Sequence, residues 1–203
     1  MGSMNEHVNR RLHSLLGVFP IGLYLVFHLV ANYFATRGPE AYNSVIEFIE
    51  GLPFLIFLEI FLIYLPLLFH SIYGIYIAFQ ASNNVSRYGY FRNLMFFVQR
   101  ITGVITLIFI SWHVWETRIQ KALGEEVNFN MMADILDNPF MMIFYALGII
   151  STVFHFSNGL WSFMVSWGIT ITPRSQVIST YVTGVIFITL TIIGLMSLFA
   201  FQV

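Results

Sequence analysis

The 203-residue chain has no cysteine and few charges, nine Lys and Arg against ten Asp and Glu, or 9% of all residues. Without cysteine there are no disulfides, no thiolate zinc sites, no cysteine-held iron–sulfur clusters and no covalently attached c-type haem. The formal net charge of −1 leaves no broad field to attract an anionic partner such as nucleic acid. The scarcity of charge excludes more. Hydrophobic residues make up 58% of the chain, against about 45–50% in an ordinary soluble domain, which is more apolar surface than one core of this size can hide. A soluble enzyme, a nucleic-acid binder and a disordered tail are therefore excluded. What remains is a polytopic membrane protein whose notable chemistry lies in six histidines.

A membrane-spanning helix needs about 20 mostly apolar residues. Five segments of this kind are expected, at about 14–34, 54–79, 94–115, 140–167 and 178–201, forming one all-α transmembrane domain over 1–203. Polar punctuation separates them at Arg37-Gly38-Pro39-Glu40, Asn83-Asn84, Asn128 to Pro139 and Thr172-Pro173-Arg174. The first segment is too long for a signal-peptide core and has no small-residue cleavage site, so it reads as retained; Glu6 breaks a myristoylation pattern. With the N-terminus inside, Arg10, Arg11, Arg87, Arg92 and Arg174 fall on the cytoplasmic side, and Arg37, Arg118 and Lys121 on the other. Most loop acids, Glu116 among them, then face outward, and the C-terminus is outside. Trp112, Trp115, Trp161 and Trp167 sit near span ends, where an aromatic belt is expected. No loop is long enough to hold a soluble catalytic domain.

His28, His70, His113 and His155 occupy the first four spans, one each. An ionisable residue inside a span points to function. A lone histidine there could equally be making an interhelical hydrogen bond, but four in successive spans form a pattern. All four lie past the midpoints of spans that alternate in direction. His28 and His113 therefore share an outer level, and His70 and His155 an inner one. Two facing imidazoles at each of two levels suit two stacked bis-histidine haems in a bundle core. A dinuclear metal site would need carboxylates close to these histidines, which are absent.

Gly17 precedes His28 by eleven residues and Gly103 precedes His113 by ten. Three helical turns span about 10.8 residues, so each glycine shares its histidine's face at the inner level and could admit the inner haem. Gly74 and Gly159 follow His70 and His155 by four. The alternative for each is an ordinary small residue at a helix contact. Glu59, eleven residues before His70, is expected near the outer level as a possible quinone or proton site, or as a snorkelling surface acid. His13 and Arg100 are candidate contacts for haem propionates at the inner level; Arg10 and Arg11 read as positive-inside anchors, and His7 as solvated.

Five stretches carry a family resemblance: Arg11-Leu-His-Ser-Leu-Leu-Gly17, Phe27-His28-Leu, Gln99-Arg100-Ile-Thr-Gly103, Ser111-Trp112-His113-Val-Trp-Glu-Thr117 and Phe154-His155-Phe-Ser-Asn-Gly-Leu-Trp161. They closely resemble the diheme cytochrome b membrane anchors of Bacillus-type succinate:menaquinone oxidoreductases, and the likeness covers essentially the whole chain. The resemblance implies two haem b groups. His70 and His155 would bind the inner, higher-potential haem, and His28 and His113 the outer, lower-potential one. It further implies a flavoprotein with covalent FAD and an iron–sulfur subunit on the cytoplasmic side, with menaquinone as acceptor. In related diheme quinol:fumarate reductases a glutamate near the outer haem serves menaquinol oxidation, and Glu59 is the candidate equivalent. Succinate oxidation itself would belong to the flavoprotein, so this chain would conduct electrons and hold no succinate site.

Two other readings remain open on the residues alone. One is a proton or solute transporter using buried His and Glu as a relay, which calls for inverted repeats and broken helices. The other is a haem-free anchor with structural histidines.

Overall fold

The computed structural model describes residues 2–82 and 84–202. Met1, and Asn83 of the expected Asn83-Asn84 punctuation, lie outside the described residues. Every regular element among the described residues is helical. Five helical segments are long and apolar enough to cross a membrane: Met4–Arg37, Leu55–Gln80, Phe91–Ala122, Pro139–Ser166 and Pro173–Ala200. They correspond one to one with the expected spans, but the first and third are longer than the sequence suggested. The first begins as a helix at Gly2, runs to Val18 and resumes at Ile21, so the interruption falls at Phe19-Pro20. Proline offers no N–H to the helical ladder, and a membrane bundle tolerates such a break.

The third span was expected to stop at Trp115, before charged Glu116 and Arg118. It continues to Ala122 through a π-helical segment, Trp115–Ile119. Both charges find partners on other spans, Arg118 on Glu59 and Glu116 on Tyr145. With the charged groups satisfied, the backbone has no reason to leave the helix. A second π-helical segment, Glu59–Tyr64, interrupts the second span opposite the first.

Residues expected only as polar connections form two short helices, Pro39–Glu50 and Phe129–Leu136. The first has Pro at its opening position, where the missing N–H costs nothing. The second is capped by Asn128, whose side chain accepts from the Met131 N–H at 3.0 Å. The two are tied together by the Asn43 side chain, which accepts from the Phe129 N–H at 2.9 Å. Their apolar faces meet the end of the fifth span: Tyr42 and Phe129 pack on Phe201 with ring centroids 5.1 and 4.9 Å away. Leu136 is fully buried beneath them.

Spans four and five pack tightly on span one through Leu29, Val153 and Leu190. The fifth span opens with a Thr172–Ser175 capping box. Its histidine-free helix closes that side of the bundle. At the end of the bundle that carries the N-terminus, arginines lie over the belt tryptophans. Arg92 stacks 3.6 Å from the Trp161 ring and donates to the Thr180 hydroxyl, and Arg11 sits 5.0 Å from the Trp167 ring. The second span is the least buried of the five, with Phe61, Leu65, Leu68, Ile72 and Phe79 all exposed.

Candidate functional site

The four span histidines meet in two pairs. His70 faces His155 edge-on with ring centroids 6.2 Å apart and an interplanar angle of 89°. His28 faces His113 at 5.8 Å and 72°. The first pair lies beside Gly17 and Gly103, the second ten residues further along span three, which is about 15 Å at 1.5 Å per residue.

At the first level a single device is used twice. His70 Nδ1 lies 2.9 Å from the carbonyl oxygen of His13, and His155 Nδ1 lies 3.1 Å from that of Gln99. A carbonyl only accepts, so Nδ1 of His70 carries the hydrogen and its Nε2 keeps the lone pair; His155 Nδ1 lies 3.2 Å from the Gln99 side-chain nitrogen as well, and the shorter contact to the Gln99 carbonyl sets the same tautomer there. Each carbonyl belongs to the residue four positions before a glycine, Gly17 and Gly103. A Cβ on Gly17 would stand 2.6 Å from His70 Cε1, and one on Gly103 would stand 2.9 Å from His155 Cε1. The two glycines thus seat the imidazoles of the opposite spans. The expectation was that they clear space for a haem; what lies against them here is an imidazole ring. Gln99 reinforces its side of the site. Its amide N–H donates to the His155 carbonyl at 2.9 Å, and its Oε1 accepts from Asn158 at 2.8 Å.

At the second level the surroundings differ. His113 stacks on Phe109, with centroids 5.7 Å apart, and its Nδ1 lies 3.3 Å from the Tyr145 hydroxyl. That hydroxyl donates to a Glu116 carboxylate oxygen at 2.9 Å, so its oxygen accepts from His113 Nδ1–H. His28 Nε2 lies 3.4 Å from the Asn32 amide nitrogen, which also donates to the His28 carbonyl at 2.8 Å.

The donor set fits a haem. Among the described residues no group of three or more His, Cys, Asp or Glu could hold a bare ion. Two opposed imidazoles are an incomplete set for such an ion, yet a complete axial set for iron already held by a macrocycle.

The remaining candidates fall at the same two levels. His13 stacks on His70 at 4.0 Å with planes 10° apart, and Gly74 makes room for it, a Cβ there being 3.0 Å from His13 Cε1. Gly159 instead backs onto the Gln99 amide. Arg100 donates to the Ala81 carbonyl at 3.0 Å, at the end of the second span, and its guanidinium lies 4.4 Å from the Phe96 ring centre. Glu59 does not snorkel freely. Arg118 holds it through contacts of 2.7, 3.1 and 3.2 Å, and its side chain is 17% exposed. Gln99, Glu116, Arg118 and Tyr145 were not anticipated as site residues. Gln99 and Glu116 fall inside the stretches that carry the family resemblance, one helical turn before Gly103 and three residues after His113, whereas Arg118 and Tyr145 had no signal in the sequence.

Residues 81–194 match the family described as succinate dehydrogenase/fumarate reductase transmembrane subunit. The chain belongs to that family. It is also 61% identical over 201 residues to the succinate dehydrogenase cytochrome b558 subunit of Bacillus subtilis (strain 168), covering 99% of this chain and 100% of that protein. The five-helix membrane architecture and the resemblance carried by the histidine motifs agree with this membership.

Proposed function

We propose that this chain is the electron-conducting cytochrome b anchor of a succinate dehydrogenase, with two haem b groups, His70 and His155 serving the inner one and His28 and His113 the outer. The carrying observation is the meeting of four imidazoles from four spans as two facing pairs at two depths. Bound haem supplies one-electron redox chemistry within the membrane, between an iron–sulfur subunit and menaquinone. The chain's own residues do the rest. The His13 and Gln99 carbonyls orient the inner imidazoles and fix their tautomers, which raises ligand basicity. His13 and Arg100 lie at the inner level, within one helical turn of those carbonyls or at them, and suit propionate contacts.

The N-terminus is placed in the cytoplasm, where the flavoprotein and iron–sulfur partners dock beside the arginine-rich end of the bundle. Menaquinone is placed near the outer pair. Quinone reduction joins each electron to a proton, and Glu59 Oε, held by Arg118 at that level, is the candidate group to hold and release it. Proton uptake from outside would let the membrane potential assist the reaction, by about 2.3 kcal/mol per charge at 100 mV.

The test is a reduced-minus-oxidised spectrum with haem quantification on the assembled complex. Two b-type signals are expected, with His70→Met altering one and His113→Met the other. A colourless complex, or variants that remove both signals or neither, would overturn the assignment. The first span is broken at Phe19-Pro20, as a relay transporter would also allow, but Glu59 is engaged by Arg118 and each of the four span histidines faces another, which favours the haem reading.

A further inference from the structure

The imidazoles of His70, His155 and His113 differ in what their Nδ1 meets. Those of His70 and His155 donate to neutral backbone carbonyls. That of His113 donates to a phenol whose own hydrogen is already committed to a carboxylate. Tyr145 is 3% exposed, so this chain runs through a dry part of the bundle. Its far end does not, because Glu116 also lines an open cleft of about 660 Å³ with Glu125, Asn128 and Asp134. The cleft lets a carboxylate stay solvated on one side while its other oxygen reaches inward. A hydrogen bond to an ionised acceptor is shorter and roughly twice as strong as one between neutral groups. Consecutive hydrogen bonds also polarise one another. The phenol oxygen, drawn on by Glu116, is therefore a stronger acceptor toward His113 Nδ1–H than an isolated tyrosine would be.

We infer that Tyr145 and Glu116 are positioning residues that orient the His113 imidazole and enrich it in electron density, so that the outer iron site is held more strongly in its oxidised state than the inner one. The inference rests on the two-haem reading proposed above. Its physical content is separate, because it assigns the source of an asymmetry between the two sites. Phe109 and Gly148 assist by packing: Phe109 stacks on the His113 ring and fills the space that the side chain missing at Gly148 leaves open. The imidazole then has one orientation, with its Nδ1 toward Tyr145.

The test is a redox titration of reduced-minus-oxidised absorbance on the assembled three-subunit complex, with Tyr145→Phe and Glu116→Gln beside the unmodified protein. Tyr145→Phe deletes the acceptor and should raise the outer midpoint potential while leaving the inner one unmoved. Glu116→Gln keeps size and helix but removes the charge, and should shift the outer potential in the same direction by less. It reports even where Tyr145→Phe assembles poorly. Restoring the carboxylate as Glu116→Asp should recover part of the shift. An outer potential unchanged in both Tyr145→Phe and Glu116→Gln, or equal movement of both potentials, would overturn the inference. If the unmodified complex shows a single haem or none, it is the two-haem reading that fails. That outcome is seen before any variant is compared.

Discussion

Gly17 and Gly103 offer the sharpest perturbation, because the smallest possible side chain is enough. In Gly17→Ala the new Cβ would start 2.6 Å from His70 Cε1, while ordinary contact begins at 3.4 Å, so the ring must retreat by 0.8 Å. The 2.9 Å bond from Nδ1 to the His13 carbonyl would then lengthen to as much as 3.7 Å, past hydrogen-bond range. In Gly103→Ala the starting distance is 2.9 Å, the retreat 0.5 Å, and the 3.1 Å bond to the Gln99 carbonyl reaches 3.6 Å. Leaving a buried N–H unmet costs about 1–3 kcal/mol, and overpacking adds about 1–3 kcal/mol. Replacing glycine by alanine inside a helix returns only about 0.5–1 kcal/mol. The balance opposes the inner ligand geometry by about 1–5 kcal/mol, and about 1.4 kcal/mol is a factor of ten in affinity. Each variant should therefore lose inner haem, or retain it several-fold to more than a hundredfold more weakly. On the two-haem reading the outer haem should persist, since His28 and His113 lie about 15 Å away along their helices. Haem content and the difference spectrum of the purified complex read this directly. Gly184→Ala is the control: a Cβ there meets nothing within 4 Å, so that variant should keep both haems. If Gly17→Ala and Gly103→Ala kept both haems with unshifted spectra, as Gly184→Ala should, the seating role would be refuted.

Glu59→Gln and Arg118→Gln should each slow quinone reduction while leaving both haem spectra intact. Their combined effect should be smaller than the sum of the two, because the contacts of 2.7–3.2 Å make them one unit; additive losses would show that the pair acts separately. Tyr42, outside the spans and 3% exposed, has its phenol pushed by burial from its ordinary 10 up to about 12. The folded state keeps this proton longer than the unfolded one, so its contribution is complete below pH 10 and is lost as pH rises from 10 to 12. That loss is on the order of 2–3 kcal/mol, and thermal melts at pH 9 and 11 should show a smaller drop in Tyr42→Phe than in the unmodified protein. Asn128→Ala removes the cap of the Phe129–Leu136 helix and should lower stability by about 1 kcal/mol, visible as a lower Tm with unchanged haem content.

The parts of this protein that could be read from its sequence are those governed by the bilayer and by helical period. Hydrocarbon thickness sets a minimum length for an apolar run, and all five runs are helices in the structure. Alternating direction then sorted His28 with His113 and His70 with His155, and the rings do meet in those pairs. What the sequence hid depends on partners distant along the chain. Glu116 and Arg118 read as loop charges because a lone charge ends a span; only Tyr145 and Glu59, on other helices, allow the third span to continue through them. The helices Pro39–Glu50 and Phe129–Leu136 read as polar connections because their apolar faces find cover only against Phe201, at the far end of the chain. Gly17 and Gly103 fall between these cases. Spacing placed them at the correct depth, since a turn count fixes depth along a helix. It could not show that the space they leave is filled by His70 and His155, whose rings arrive from other spans and end on the carbonyls of His13 and Gln99. Helical period therefore locates a histidine level, while the identity of the hydrogen-bond partner of Nδ1, neutral carbonyl or Tyr145–Glu116, is a property of the packed bundle alone. The same distinction separates the two levels chemically, because only the His28–His113 level draws on a carboxylate.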